Sequence, residues 1–563
     1  MRGKMKWSLV LALVLALSMV LSACGGSSKP NASSDKGNGS NGGKTDANYK
    51  QVLNLAETEE IPTLSTTTGD DEVSFNVFAT VYEGLYTINE KDQLVPALSV
   101  GEPTITKSGT DAVYTFKLQP NAKWSNGDPV TAGDFVYAWQ KAINPKTQGV
   151  TYSYLFPTLG VKNSADIMAG KKPVTDLGVK AVDDHTLQVT LDKAVPFYKS
   201  LFGFPTFFPQ DKKFVESQGK NYGLEAANAV YNGPFVLSDW QHNQGWTYKK
   251  NPNYWDKANV HIDQINEKVV KDLQARINLY NGGEIDAVGL SGDWVTKYKT
   301  RPDFRKKLGT SVYYLKYNEK NKFLKNANIR KALSMSWDKQ AFADKLLNNG
   351  SIPANGLIPQ GFFTLQDGKD FRAENGDLQT YDVAQAKKYW EQGLKELGVK
   401  SVNLELLAYD GDTYKNEITY IASQMQKNLP GLTLKINQQE FKVMLDQENN
   451  MQYDLVTAGW GPDYQDPMTF LDMFTTGNGN NQMGYASKAY DALIKKAADS
   501  SSDLQARDKA MLDAEKLLIQ QDGALGLMYQ NGGASLVQPY LVNFKTHPFG
   551  PDYSFKFMSV KKH

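Results

Sequence analysis

The clearest alternation of apolar and polar positions lies between residues 382 and 458. Positions 382–397 predict a helix, with Asp382 and Gln385 as a capping pair at its start and Gly398 as its stop. After it, the spacing predicts a strand over 402–408, a helix over 417–428, a strand over 432–436, a helix over 441–448 and a strand over 453–458. A β-α-β-α-β order implies a largely parallel sheet covered by helices, with ligands held beyond the carboxyl ends of strands. Earlier in the chain the signals are shorter. They predict strands over 51–56, 112–118 and 186–191, and helices over 73–86, 132–142 and 272–280. Thr131 is placed to cap the second of these helices, and a further helix starts over 328–336.

At 563 residues the chain is too long for one core, so two or three domains are expected. With 62 basic and 61 acidic residues it has no basic excess of the kind that marks a nucleic-acid-binding surface. The N-terminus carries Arg2, Lys4 and Lys6 before an apolar run over 7–21 of secretory length, ending Leu21-Ser22-Ala23-Cys24. That ending looks like a bacterial lipoprotein cleavage box, which implies a lipid on Cys24 and a signal peptide over 1–23. Loss of that segment changes the net charge from +1 to −2. Cys24 is the single cysteine, so an internal disulfide framework is excluded. Residues 24–48 are rich in Gly, Ser, Asn, Lys and Asp and read as a tether.

The most unusual local chemistry is the run Ala-Gly-Trp-Gly-Pro-Asp-Tyr-Gln-Asp-Pro over 458–467. Gly459 and Gly461 bracket Trp460 and leave the backbone open to close approach, and Asp463 sets a carboxylate beside the ring of Tyr464. Two readings stand. These residues make either a packed turn, for purely local reasons, or a grip for a small cation-bearing ligand at a strand end. Catalytic patterns are sparse. Five histidines form no His-Glu-x-x-His, no Gly-x-Ser-x-Gly occurs, and only Asp463 with Asp466 could pass for a glycosidase-type carboxylate pair. The sequence calls for no cofactor.

Six segments in order, at 124–140, 232–235, 251–256, 283–286, 328–340 and 458–474, resemble the oligopeptide-binding proteins of ABC importers, within the family 5 extracellular solute-binding proteins. The likeness runs from about residue 50 to the end. The runs Asp-Asp-His-Thr-Leu at 183–187 and Gly-Lys-Lys-Pro at 170–173 fit the peptide-binding branch. The resemblance implies an α/β, two-lobed, periplasmic-binding-protein-like fold with a two-strand hinge and an extra domain in one lobe. Carried onto this chain, the base lobe is 49–82 with 211–313 and 530–563, the extra domain is 83–210, and the second lobe is 314–529.

It also implies that an extended peptide lies between the lobes with its α-amino group on Asp463. Asp70, Asp71 and Glu72 would lie beside the ligand backbone from the other lobe, unless they form a solvated acidic loop. Tyr152, Tyr154 and Phe441 match positions that line side-chain pockets, and a plain core role also fits them. Where some relatives hold a peptide C-terminus with basic residues, this chain has Tyr414, Glu448 and Thr457. The implied partners are oligopeptides and the permease subunits of an ABC importer, met by a monomer lipid-anchored at the outer face of a Gram-positive-type cell membrane. A signalling peptide, an oligosaccharide or a metal chelate is the alternative ligand on the same fold.

Overall fold

A computed structural model describes residues 49–563 apart from 110, 193, 194, 196, 501 and 502. The expectations for the signal peptide, Cys24 and the tether lie outside the described residues.

The polypeptide forms three principal sheets. One has four strands in the order Val52–Glu57, Gln264–Val269, Gly245–Lys250, Phe235–Gln241, so the first strand pairs in parallel with one more than 200 residues later. A second four-stranded sheet is antiparallel throughout, in the order Thr104–Ser108, Asp111–Lys117, Thr186–Leu191, Val179–Asp183. The third has seven strands. Its order is Ala287–Leu290, Leu525–Val537, Phe304–Tyr317, Leu455–Trp460, Val402–Tyr409, Leu432–Gln439, with Ile352–Pro353 added on Leu525–Val537.

Only part of this large sheet is parallel. Val402–Tyr409 runs parallel to both Leu432–Gln439 and Leu455–Trp460, as the β-α-β-α-β pattern requires. Leu455–Trp460 then meets Phe304–Tyr317 antiparallel, and that strand pairs antiparallel with Leu525–Val537. The sheet is therefore mixed, not largely parallel, because two long strands from distant parts of the sequence join it antiparallel. These two strands, of 14 and 13 residues, had no predicted counterpart. Their pairing shifts register between Leu308 and Val312 and again between Tyr313 and Tyr314. The assembly is α/β and two-lobed.

Local chemistry accounts for most helix ends. Thr131 and Asp134 form a reciprocal capping box on Ala132–Ile143, and Asp272 caps Leu273–Asn281. Asp382 accepts from the Gln385 amide on Val383–Leu397, and Gly398 closes that helix at φ 67, a conformation glycine adopts without strain. The first helix is shorter than its pattern suggests, Glu72–Val81 in place of 73–86. The Gly233 amide donates to the Val81 carbonyl at 2.9 Å, and the Asn232 side chain accepts from the Glu83 amide at 3.0 Å. This distant turn captures the backbone that another helical turn would have used.

Candidate functional site

A cavity of about 410 Å³ lies where the large sheet faces the segments 57–76 and 547–553. Its size falls within the range of sites that enclose small ligands. Several direct contacts close its rim. The Tyr152 ring stacks on Trp460 with centroids 6.0 Å apart, the Tyr409 hydroxyl donates to the Thr58 carbonyl at 2.7 Å, and Lys271 pairs with Asp410 at 3.1 Å.

The strand Leu455–Trp460 gives the cavity its backbone wall. On one side all six of its residues are paired with Phe304–Tyr317. On the other side Val402–Tyr409 reaches only Leu455 and Val456. From Thr457 to Trp460 that edge has no strand partner among the described residues, and Thr457 to Asp463 line the cavity. Gly459 and Trp460 thus belong to the strand, which lies two residues later than predicted, and do not lie past its end. Gly459 is also required by packing. A Cβ there would stand 2.8 Å from the Tyr313 ring, and one at Gly461 would stand 3.1 Å from the Ser311 hydroxyl.

Asp463 sits beyond this edge, 7% exposed. Its amide donates to the Thr469 hydroxyl at 3.0 Å, while its Oδ2 is buried without a hydrogen-bond partner. Burial, and after it the nearby Asp472, hold its carboxyl well above the usual carboxylate range. The Trp460 Nε1 is likewise buried and unpartnered. The wall therefore holds a buried acceptor and a buried donor, each unpaired at a cost in free energy that a complementary ligand recovers.

Asp70, Asp71, Glu72, Tyr152 and Phe441 also line the cavity, with distinct local roles. Asp70 accepts from Thr151 at 3.0 Å and from Asn449 at 3.2 Å, so it ties separate parts of the rim together. Asp71 caps Glu72–Val81 through Oδ1 at 2.8 Å and leaves Oδ2 buried and unpartnered. Tyr152 packs against Phe75 and Phe204, and Phe441 sets its ring edge to Tyr409 at 5.8 Å.

Tyr464 is a correction. It is fully buried away from the cavity, stacked on Phe197 at 4.5 Å with its hydroxyl on Asp472 at 3.1 Å. The residue after Asp463 is a packing residue that fixes the loop. Asp466 does not pair with Asp463 either, since it is held by Arg507 at 2.6 Å and stays outside the cavity wall. No carboxylate pair of glycosidase type is formed there.

Sequence reasoning missed most of the remaining wall. Glu57, Glu59, Glu417 and Asp552 line it, as do Tyr313 and Tyr409. These residues come from five separate stretches, and no local pattern marks any of them. Glu448 lines it too, and its partner Lys316 is the single lysine or arginine of the lining. Lys316 is consumed by Glu448 at 2.7 Å and Gln482 at 2.6 Å. The lining His547 is bound to Asp92 at 2.7 Å, with burial holding its ring below the usual histidine range. Among the described residues no group of three or more His, Cys, Asp or Glu side chains is arranged to hold a metal ion, and no helix is long and apolar enough to cross a membrane.

Comparison with known proteins agrees with this architecture. Residues 93–482 match the model of the bacterial extracellular solute-binding proteins, family 5. The chain belongs to that family. It is 34% identical to a dipeptide-binding protein of Lactococcus lactis, over 89% of this chain and 93% of that one. Among solved structures it is similar to Listeria monocytogenes OppA bound to peptide, at 44% identity and a TM-score of 0.87, covering 91% of this chain and all of that one. It is also similar to the pheromone receptor PrgZ, at 33% identity and a TM-score of 0.86, covering 91% of this chain and all of that one.

Proposed function

We propose that this chain is a receptor that captures short peptides between its lobes, with the α-amino group on Asp463 and the peptide backbone along the open strand edge at 457–461. The observation that carries this reading is the buried, cation-free carboxylate of Asp463 at the end of an unpaired strand edge, in the wall of one cavity. A peptide of any sequence presents backbone donors and acceptors along its length and an ammonium at one end. Adding it as a strand gives affinity without reading side chains. An enclosed ammonium–carboxylate pair gives it polarity and register. Similarity to a dipeptide-binding protein and to a peptide-bound OppA supports the same ligand class.

In this reading the hinge is the pair Phe304–Tyr317 and Leu525–Val537, since these strands run through the boundaries near 313 and 530. The base lobe is 49–82 with 211–313 and 530–563, the extra domain 83–210 and the second lobe 314–529. Closure around the peptide creates the form that docks on an ABC importer permease. The protein acts as a monomer, held at the outer face of the cell membrane by a lipid on Cys24, and performs no catalysis. A dedicated signalling peptide in place of a nutrient pool is the second reading, supported by the likeness to the pheromone receptor.

Titration calorimetry of the chain from residue 49 tests the proposal, with a mixture of free pentapeptides and the same mixture N-acetylated. Binding of the free peptides that collapses on acetylation is expected. Binding that survives acetylation removes Asp463 from its role, and no binding in either form removes the peptide class.

A further inference from the structure

The cavity wall carries a second acidic group that the α-amino site does not use. Glu59, Glu72, Glu417 and Asp552 all line it, and the field at Asp463 comes from Asp472 and Thr469, not from these four. They share that wall with Tyr313 and Tyr414. The Tyr414 ring meets the edge of Tyr409 at 5.0 Å, the Tyr409 hydroxyl reaches the Thr58 carbonyl beside Glu59, and the Asp552 amide donates to Asn76 at 2.7 Å on the helix that Glu72 begins. The nearby Asp552, and after it burial, hold the Glu72 carboxyl well above the usual carboxylate range. Glu417, 4% exposed, has the Tyr529 hydroxyl beside it and no cation among its neighbours.

The nearby cations lie outside the lining or are already engaged. Arg276 and Lys271 act on Glu59, yet neither lines the cavity, and Lys271 is held by Asp410. Lys316 is spent on Glu448. An independent sign of a missing partner is Asp71, 6% exposed in the same wall, whose Oδ2 is buried with no hydrogen bond and whose neighbours include Glu59. The phenol rings of Tyr313 and Tyr414 line the same cavity and add a surface for a cation.

We propose that Glu59, Glu72, Glu417 and Asp552, with the rings of Tyr313 and Tyr414, form a subsite for a lysine or arginine side chain of the bound peptide. The proposal rests on the peptide reading and narrows it to peptides with a basic residue after the first. A carboxylate set facing phenol rings, with no cation of its own in the cavity lining, is complementary to an ammonium or guanidinium and rejects an acidic side chain.

The test is calorimetry of alanine-based pentapeptides with free N-termini, a single lysine being moved through positions two to five, each compared with its Nε-acetyl-lysine twin. One position is expected to favour lysine by about tenfold or more, which corresponds to about 1.4 kcal/mol. That preference is expected to vanish in Glu417→Gln/Asp552→Asn, with the all-alanine peptide bound as before. The wild-type comparison of the twins stands alone should the double variant fail to fold. Twins bound within twofold at every position overturn the subsite and leave the peptide reading intact. Binding of no free-amino peptide overturns both.

Discussion

At the scale of single residues, Asp463 carries a conflict between stability and function. Its carboxyl is buried with Oδ2 unpartnered and no cation beside it, so the ligand-free protein gains nothing from its charge. Replacing it removes a buried acceptor that lacks a donor, whereas the peptide loses its ammonium partner. Breaking a buried ion pair by removing one member costs roughly 3–5 kcal/mol. Asp463→Ala is therefore expected to weaken peptide binding by at least about 100-fold, since each 1.4 kcal/mol is tenfold. Asp463→Asn is expected to leave the ligand-free melting temperature unchanged or higher. Calorimetry and a thermal scan check the two halves, and unchanged affinity in the alanine variant sinks the assignment. Tyr464 behaves in the opposite way. Its ring and hydroxyl are satisfied by Phe197 and Asp472, so Tyr464→Ala is expected to lower the melting temperature of the ligand-free protein. A buried aromatic truncated to alanine costs about 3–5 kcal/mol.

At the scale of elements, the open edge of Leu455–Trp460 decides how the ligand is read. If a peptide adds as a strand, the free amides between Thr457 and Gly461 gain acceptors that they lack in its absence. Hydrogen exchange in that segment is expected to slow on peptide addition, while Leu406 and Leu407, already paired on both sides, change little. Exchange at 457–461 that ignores saturating peptide argues against strand addition. This segment also shows what sequence can and cannot say. The alternation over 402–458 and the Asp382 and Gly398 caps are local signals, and the helices and parallel strands they predict are present. The extension of the strand to Trp460 depends on Phe304–Tyr317, more than 140 residues earlier, and nothing local encodes that pairing. Gly459 illustrates the difference. Its lack of a side chain looked like an opening for a ligand, and the structure adds that the Tyr313 ring occupies the space a Cβ would need. The run 458–463 was visible as unusual chemistry, whereas Glu57, Glu417 and Asp552 are ordinary acidic residues until the fold collects them.

At the scale of the whole molecule, that collection of carboxylates makes pH a property of the closed state. Burial raises Glu57 and Glu417 to about 8 and Asp71 to about 7. Asp552, Glu59 and Asp70 add to this as like charges, and Arg276 opposes them at Glu57. The folded chain thus holds protons that the unfolded chain has released above about pH 4.5. Stability from these groups is fully present below that pH and is lost as pH rises through about 7 to 8. The melting temperature of the ligand-free protein is therefore expected to fall between pH 5.5 and pH 8.5. A bound cation reverses the balance, because it favours the ionised carboxylates and releases their protons. Affinity for a lysine-bearing peptide is accordingly expected to rise from about pH 5.5 towards about pH 7.5 and to turn down above about pH 8, where the free peptide's α-amino group loses its proton. The acetyl-lysine twin should show a smaller slope, carried by Asp463 alone. Calorimetry near pH 7 in buffers of differing ionisation enthalpy measures the proton count directly. Net proton release with the basic peptide, exceeding that with its neutral twin, ties the cavity's charge to its ligand. Equal release with both would assign the protons to the α-amino site and leave the other carboxylates as a cost of closing the lobes.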